Sequence, residues 1–205
     1  VKEMGVKVFA WRSENFDQHM QNARCVLDTY PSIIVDNGGD LHSLLGEEDS
    51  YKDLRESLLG ATEETTTGAN RLRETLPAFG FPTIIINDTM AKRIVENRYG
   101  VGVSVVDGIM RTSNIMLSGK AVVVIGYGYC GQGVAQRLRG LGAHVTVVDT
   151  APLAQLEAHL EGFRTGALED VLADADIVLT VTGRDAALRK EHFELMKDGV
   201  VLCNA

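Results

Sequence analysis

Residues 121–138 read AVVVIGYGYCGQGVAQRL, and this stretch decides the fold. Three glycines, Gly126, Gly128 and Gly131, follow an apolar run in G-x-G-x-x-G spacing and open a segment with a helical pattern. In a dinucleotide-binding fold the first glycine permits a tight turn, the second lets the backbone approach a pyrophosphate, and the third lets helix and strand pack closely. The helix N-terminus then offers free N–H groups and a positive dipole end to phosphates. The stretch therefore predicts a strand, a phosphate-binding loop and a helix.

An acidic residue in the expected place supports this interpretation. Asp149 ends the next apolar run, HVTVVD, 18 residues beyond Gly131, where a carboxylate accepts hydrogen bonds from the adenosine ribose. Because a carboxylate there repels a 2′-phosphate, NAD is favoured over NADP. The alternative is a glycine-rich turn without a ligand, but strand, spacing, helix and acid all argue against it. The cofactor residues expected in this half of the chain are Gly126, Tyr127, Gly128, Tyr129, Cys130, Gly131, Asp149, Thr182 and Gly183.

Short apolar runs alternate with amphipathic segments of helical length along the whole chain, which is typical of an α/β protein with parallel sheets. The apolar runs are rich in Val and Ile and lack clean alternation, as expected for strands buried on both faces. The predicted strands are Val6–Ala10, Ile33–Asp36, Thr83–Ile86, Ala121–Ile125, Val145–Val148, Ile177–Val181 and Val200–Cys203. The predicted helices are Glu14–Leu27, Ala69–Leu76, Met90–Arg98, Gly108–Leu117, Val134–Leu141, Leu153–Leu160 and Glu191–Lys197.

Composition excludes several classes of function. The formal net charge of -8 argues against a nucleic-acid partner, which requires a basic face, and charged residues interrupt every apolar run that could cross a membrane. Three widely spaced cysteines and five histidines show no metal-ligand spacing, so no metal is expected. Unpaired cysteines favour a reduced, cytoplasmic protein. The chain does not begin with Met and stops directly after a strand-like run, so we expect a fragment of a longer polypeptide.

Several segments resemble the S-adenosylhomocysteine hydrolase family. These segments are NGGDLHSLL (37–45), GATEETTTGANRL (60–72), INDTMAKRIVENRYG (86–100), DGIMRTSNIMLSGK (107–120) and GYGYCGQGVAQRLRGLGAHV (126–145). EETTTG together with the spaced Asn, Asp, Lys and Asn of the third segment is far more specific than a glycine fingerprint alone. The resemblance implies a partial α/β substrate domain over residues 1–97 and a Rossmann-type NAD domain with its linking helix over residues 98–205. It also implies a homo-oligomer.

The resemblance implies hydrolysis of a nucleosidyl thioether through transient oxidation. A thioether at C5′ of a ribose is a poor leaving group, and the proton at C4′ is barely acidic. When the 3′ hydroxyl is oxidised to a ketone, the C4′ proton lies α to a carbonyl and a base can remove it. The thiolate then leaves, water adds, and the ketone is reduced again by the same bound cofactor. Such a protein must hold acid and base groups at the ribose and exclude water.

Five residues carry over from the family as catalytic candidates. Lys92 and the acid Glu96 are assigned to the 3′ hydroxyl and its proton, with Asn97 beside them; at i and i+4 on a helix, Lys92 and Glu96 share one face. Glu64 is assigned to the ribose hydroxyls, and Asn37 stands where the family has an acid/base aspartate. The plain alternative for Lys92 and Glu96 is a surface ion pair.

Further cofactor contacts also follow from the resemblance. Thr65, Thr66, Thr67 and Asn97 are expected to contact NAD, and Asn204 aligns with an asparagine on the cofactor side. Taken alone, EETTTG could be a helix N-terminus capped by threonine with acids nearby.

Departures from the family pattern leave two other functions open. An amide at Asn37 cannot exchange a proton at neutral pH, Glu96 is one methylene longer than the family's aspartate, and Tyr129 replaces an acid in the fingerprint. One alternative is an NAD-dependent nucleoside or sugar oxidoreductase that oxidises C3′ without elimination. The other is a catalytically inactive NAD-binding regulatory homologue.

Overall fold

The computed structural model describes residues 4–74 and 79–205. The chain divides between Thr89 and Met90 into two compact units. Residue 97, after which the sequence predicts a domain boundary, lies in a continuous helical segment that packs along the helix following the fingerprint. Lys92, Glu96 and Asn97 therefore belong to the same unit as the glycine loop.

The first unit is a small parallel sheet with helices. Its elements are α1 (Phe16–Leu27), β1 (Ile33–Asp36), α2 (Asp40–Glu47), α3 (Lys52–Ser57), β2 (Gly60–Glu63), α4 (Thr66–Glu74) and β3 (Thr83–Ile85), with 3-10 turns at Asp49–Tyr51 and Ile86–Asp88. The strands lie in the order β1-β2-β3, all parallel. The core between helices and sheet comprises Leu27, Ile34, Leu44, Leu45 and Leu54.

Two expectations for this unit are wrong, and one strand was missed. Val6–Ala10 is not a strand and pairs with no described strand; Trp11, which follows it, is 53% exposed. β2 was not predicted because Gly-Ala-Thr-Glu has no apolar run, although it forms the centre of the sheet between two neighbours. Burial on both faces is also not seen, since Ile33 and Val35 of β1 are exposed while Ile34 is buried.

The second unit begins with one long helical segment. α5 (Met90–Lys92) passes into π-helical turns over Arg93–Gly100 and then into α6 (Val101–Ser113). Asn114, in the left-handed region at φ 53°, ends it. The two helices predicted at Met90–Arg98 and Gly108–Leu117 are thus one run, which stops before Leu117.

A five-stranded parallel sheet forms the rest of this unit. Its elements are β4 (Ala121–Ile125), α7 (Tyr129–Gly140), β5 (His144–Val148), α8 (Pro152–Leu160), β6 (Arg164–Thr165), α9 (Leu168–Val171), β7 (Ile177–Thr180), α10 (Lys190–Phe193) and β8 (Val201–Asn204). The strand order is β6-β5-β4-β7-β8. Chain order reverses at β4, so a ligand crevice is expected at the carboxyl ends of β4 and β7.

The sheet of the second unit is buried on both faces, as the Val-rich runs predicted. Val122 and Val124 of β4 contribute to one apolar cluster, while Val123 and Ile125 contribute to another on the opposite face. The α/β class with a Rossmann-type sheet is therefore confirmed. Of the described residues, no helix has the length and apolar character needed to cross a membrane.

Remaining differences concern element ends and short elements. α4 starts at Thr66 rather than Ala69, and residues 75 and 76 of the predicted helix lie outside the described residues. α7 starts at Tyr129 rather than Val134, directly after the glycine loop. Three short helices and one two-residue strand were not predicted, because so few residues carry no periodicity: α2, α3, α9 and β6.

Candidate functional site

The loop after β4 has the backbone that a dinucleotide requires. Gly126 has φ +105°, and a Cβ there would lie 2.7 Å from the carbonyl oxygen of Val181. A Cβ on Gly131 would lie 2.0 Å from the carbonyl oxygen of Gly126, so only glycine lets α7 approach the strand this closely. At Gly128 the position of a Cβ faces open space, which leaves room for a ligand against the backbone.

The N-terminus of α7 is free of a side-chain cap. Its N-cap residue is Gly128, which has no side chain that could accept hydrogen bonds from the N–H groups of the first turn. The first N–H groups of a helix have no partners within the helix and need an external acceptor. A pyrophosphate would satisfy them and interact favourably with the helix dipole. The residues present therefore fit a bound dinucleotide.

Asp149 lies at the end of β5, next to the loop, and both of its oxygens already accept hydrogen bonds. Oδ2 accepts from the N–H of Tyr127 at 2.7 Å, and Oδ1 accepts from the N–H of Ala151 at 2.8 Å. An ionised carboxylate has about four acceptor positions, so ribose hydroxyls can still be bound. Asp149 also stabilises the fingerprint turn, a role that sequence spacing did not indicate.

Tyr127 turns its side chain away from the loop surface. It is 2% exposed and packs edge-on against Phe163, and its hydroxyl donates to Glu161 Oε2 at 2.9 Å. Burial and the hydrogen bond to Glu161 raise the pKa of the tyrosine far above its usual range. A contribution of Tyr127 to cofactor binding thus comes from its backbone.

Three other predicted cofactor residues lie at the carboxyl ends of β7 and β8, beside the loop. The methyl group of Thr182 borders the Cβ position of Gly126 at 3.2 Å, and Gly183 adopts φ +59°. Asn204 accepts a hydrogen bond from Thr180 Oγ1 at 2.7 Å. The strand order therefore brings Thr182 and Gly183 to the crevice where β4 and β7 meet, and Asn204 to the end of β8 on the other side of β7.

Lys92 forms a compact polar cluster with Glu96 and Asn97. Its Nζ lies 3.1 Å from Glu96 Oε1 and donates to Asn97 Oδ1 at 2.8 Å, and its side chain is only 8% exposed. In an α-helix of 3.6 residues per turn, residue i+5 points away from residue i. The π-helical turns, with the N–H of Val101 bonded to the carbonyl of Glu96, widen the turn and bring i+4 and i+5 to either side of one ammonium.

This cluster lies against the glycine loop within the second unit. Burial raises the pKa of the Cys130 thiol, while the nearby charge of Lys92 lowers it and that of Glu96 raises it. The guanidinium of Arg93 lies 5.6 Å from the centre of the Tyr129 ring. The buried lysine therefore stands beside the first turn of α7, where sequence alone could not place it.

The first unit holds the other predicted catalytic residues. Asn37 follows β1 and Glu64 follows the adjacent β2, and Asn37 Nδ2 donates to Glu64 Oε2 at 3.2 Å. Thr65 and Thr66 come next, with Thr66 Oγ1 donating to Asn87 Oδ1 at 3.3 Å. Thr67 is exposed in the first turn of α4.

A buried group that sequence reasoning passed over lies directly beneath Asn37. His42 Nδ1 is 2.7 Å from Asp36 Oδ2, and Glu63 lies in the same cluster. Burial raises the pKa of the Asp36 carboxyl, but hydrogen bonds from the ring and backbone of His42 and from the N–H of Asn37 outweigh it, so the pKa is lowered. An aspartate and a histidine six positions apart carry no signal by themselves.

A family model described as the NAD binding domain of S-adenosyl-L-homocysteine hydrolase matches residues 97–205, just over half of the chain. The chain belongs to the S-adenosyl-L-homocysteine hydrolase family. It is 48% identical to the S-inosyl-L-homocysteine hydrolase of Methanopyrus kandleri over 99% of this chain and 48% of that protein. It is 46% identical to the adenosylhomocysteinase of Pyrococcus abyssi over 98% of this chain and 48% of that protein. The chain thus spans about half the length of these relatives.

Solved structures of other proteins have a similar fold to this member of the hydrolase family, although their sequence identity is low. A dipicolinate synthase structure from Bacillus halodurans has a TM-score of 0.57 at 14% identity, covering 73% of this chain and 52% of that one. Phosphoglycerate oxidoreductase from Vibrio cholerae has a TM-score of 0.54 at 15% identity, covering 89% and 63%. At this identity the likeness indicates the fold alone, a Rossmann-type sheet.

Replacing Asp149 with alanine in this S-adenosyl-L-homocysteine hydrolase relative should weaken NAD binding by roughly 1–3 kcal/mol, because hydroxyl and N–H donors lose their acceptor. NADP should bind the unmodified protein more weakly than NAD, and the difference should shrink in Asp149→Ala. Titration calorimetry with both dinucleotides measures this. Equal affinities in the unmodified protein would contradict the assignment of Asp149.

Proposed function

We propose that the protein containing this chain catalyses NAD-dependent, reversible hydrolysis of S-adenosylhomocysteine, or of a related nucleosidyl thioether, to a nucleoside and homocysteine. The observation that carries this proposal is the position of Lys92. A largely buried ammonium, paired with a carboxylate and an amide, lies beside a loop built for a dinucleotide. A simple dinucleotide-binding module has no need of such a cluster.

Each side chain has a task in this proposal. Lys92, as the free amine, takes the proton of the 3′ hydroxyl and returns it in the last step. Glu96 balances the charge of the ammonium formed in between, and Asn97 holds Nζ in place through the 2.8 Å hydrogen bond. Glu64 accepts hydrogen bonds from ribose hydroxyls. NAD held by the glycine loop after β4 and by Asp149 would supply reversible hydride transfer at the 3′ carbon.

We propose that the base of the nucleoside is a purine, either adenine or hypoxanthine. The relative from Methanopyrus kandleri is named for an S-inosyl substrate, while that from Pyrococcus abyssi is named for an S-adenosyl one. The two purines differ in the group at C6, so their discrimination depends on a hydrogen-bond donor or acceptor facing that position. Both thioethers are therefore candidate substrates.

The further expectations belong to the same proposal. We propose that residues up to Thr89 contribute to the substrate domain and that Met90–Ala205 hold NAD. We propose a cytoplasmic homo-oligomer acting in one-carbon metabolism; the free thiols of Cys25, Cys130 and Cys203 suit a reducing compartment.

A direct test uses the full-length protein. Mass analysis under native conditions asks whether NAD co-purifies, and incubation with S-adenosylhomocysteine or S-inosylhomocysteine is followed with a thiol reagent. The proposal expects bound NAD and thiol release from at least one thioether. Bound NAD without reduction by any nucleoside would instead support the regulatory alternative.

Asn37 favours a second candidate, an oxidoreductase that stops after oxidation at C3′. Its amide donates to Glu64 at 3.2 Å but cannot carry a proton between substrate and water. If the missing aspartate limits elimination, Asn37→Asp should raise thiol release by up to about 10²–10⁴-fold, the typical contribution of a general acid or base. Stopped-flow measurement of thiol release, with NAD affinity as the control, tests this.

Two results would separate the candidates. If the unmodified protein releases thiol at a rate that Asn37→Asp leaves unchanged, Asn37 is harmless and the protein is a plain hydrolase. If a nucleoside reduces the bound cofactor but neither form releases thiol, the oxidoreductase is correct.

A further inference from the structure

The two candidate substrate residues of the first unit each follow a buried carboxylate. Asp36 ends β1 and Glu63 ends β2, and the two are direct partners in the parallel register. Asp36 is 4% exposed and Glu63 is fully buried. Asn37 and Glu64, which are the next residues along the chain, therefore leave the sheet side by side.

The side chain of Glu63 joins the two loops. Its Oε1 accepts the N–H of Gly38, in the loop after β1, at 3.1 Å. The same oxygen accepts the N–H of Thr65, in the loop after β2, at 2.8 Å. One carboxylate oxygen thus binds the N–H of the residue that follows Asn37 and the N–H of the residue that follows Glu64.

Asp36 completes the arrangement from the other strand. Its Oδ1 accepts the N–H of Asn37 at 2.9 Å, and its main-chain oxygen accepts the N–H of Glu64 at 3.1 Å. Four backbone N–H groups of the two loops thus bond to these two residues, three to carboxylate oxygens and one to a main-chain oxygen. The 3.2 Å contact between the side chains of Asn37 and Glu64 lies above them.

The stability of the fold does not account for the Glu63 carboxylate. Its Oε2 is buried and has no hydrogen-bond partner among residues 4–74 and 79–205, and burying an incompletely paired carboxylate is costly. The first turns of α4 also make room for it, because a Cβ on Gly68 would lie 2.3 Å from Glu63 Cδ. A group that is costly to bury and is accommodated by a glycine suggests a role in the site.

A metal ion is the rival explanation, since Asp36, His42 and Glu63 each offer a ligand atom within 4.8 Å of the others. However, His42 Nδ1 and Asp36 Oδ2 are only 2.7 Å apart, whereas two ligands of a tetrahedral ion with bonds of about 2.1 Å lie roughly 3.4 Å apart. Asp36 Oδ2 also accepts the N–H of His42 at 3.0 Å. This geometry is that of hydrogen bonds.

We propose that Glu63 is a positioning residue: by accepting the N–H groups of Gly38 and Thr65 through one oxygen, it sets the spacing of Asn37 and Glu64 around the ribose of the substrate. This inference rests on the proposed function for the identity of that substrate. The essential property is a hydrogen-bond acceptor at Oε1, so negative charge is not required.

The test compares three variants of the full-length protein. Glu63→Ala removes the acceptor, Glu63→Gln retains a carbonyl oxygen that can accept both N–H groups, and Glu56→Ala is the matched control on the exposed face of α3. In Glu63→Ala we expect KM for the thioether to rise at least about tenfold while kcat changes less, because orientation of a binding group is lost with two hydrogen bonds. Glu63→Gln should restore KM, and Glu56→Ala should leave it unchanged.

Hydrogen exchange of the backbone gives a readout independent of the reaction. The amides of Gly38 and Thr65 should exchange faster in Glu63→Ala but not in Glu63→Gln or Glu56→Ala. If the unmodified protein turns over neither thioether, the proposed function fails, and the exchange pattern still decides whether Glu63 joins the two loops.

Several results would overturn the proposal. Equal losses in Glu63→Gln and Glu63→Ala would show that charge or a proton matters instead of the acceptor. One metal ion per chain that disappears in Glu63→Ala would favour the metal site. If Glu63→Ala does not fold, Glu63→Met, of similar length and without an acceptor, replaces it. Failure of both to fold while Glu63→Gln folds would assign Glu63 to the fold alone.

Discussion

Lys92→Ala is expected to lower the rate at which a nucleoside reduces the bound cofactor by about 10²–10⁴-fold, the usual cost of losing a general acid or base. The side chain is 8% exposed and bonds to Glu96 and Asn97, so alanine removes the ammonium that these two groups contact. Absorbance of the reduced nicotinamide, followed in rapid mixing, reports the step directly.

The matched control is Lys190→Ala, which removes an exposed lysine from the start of α10 in the same unit. NAD affinity should be largely unchanged in both variants, since the loop backbone and Asp149 remain. A Lys92→Ala protein that reduces its cofactor at the normal rate would make Lys92 a structural residue and remove the main support for the proposed reaction.

Gly133→Ala should strongly destabilise the second unit. A Cβ at this position would lie 1.7 Å from the carbonyl oxygen of Arg98 and 2.7 Å from its carbonyl carbon. Both are backbone atoms of the segment that carries Lys92, so neither can move without shifting a helix. Overpacking of this kind costs about 3 kcal/mol at the upper end of its usual range, which lowers the Tm by roughly 6–12 °C in a chain of this size.

Gly140→Ala on the same helix provides the opposite expectation. A Cβ there meets nothing within 4 Å, and alanine is the better helix former by up to about 1 kcal/mol. Calorimetry of the two variants should therefore show shifts of Tm with opposite signs. Equal behaviour of Gly133→Ala and Gly140→Ala would mean that the close approach of the Lys92 segment to α7 is not maintained in solution.

The local signals of the second unit were sufficient for its fold. Every residue of β4 is apolar, the glycines after it are spaced for a phosphate loop, and Asp149 ends the next strand. Each of these features spans only a few residues, so each can be recognised from the local sequence without knowledge of the tertiary fold. The family resemblance added that this fold is an NAD-binding domain, and the family model matches it over residues 97–205.

The first unit was harder to predict from its sequence. β2 has no apolar run, and its place at the centre of the sheet comes from pairing with β1 and β3. Val6–Ala10 has the composition of a strand, but composition cannot supply a partner strand. Trp11 has a large apolar side chain, a type usually buried, yet it is exposed.

By itself, the sequence predicted the α/β class and the dinucleotide loop, because both depend on residue types at short spacing. Its resemblance to the family added Lys92, Glu96, Asn97, Asn37 and Glu64 as candidate site residues. Tertiary structure decided how they meet. The π-helical turns place Asn97 against Lys92, contrary to the i+4 logic of an α-helix. The parallel register places Asp36 beside Glu63, residues far apart in the chain. Contacts of this kind arise from backbone geometry and strand pairing, which no local pattern of side chains encodes.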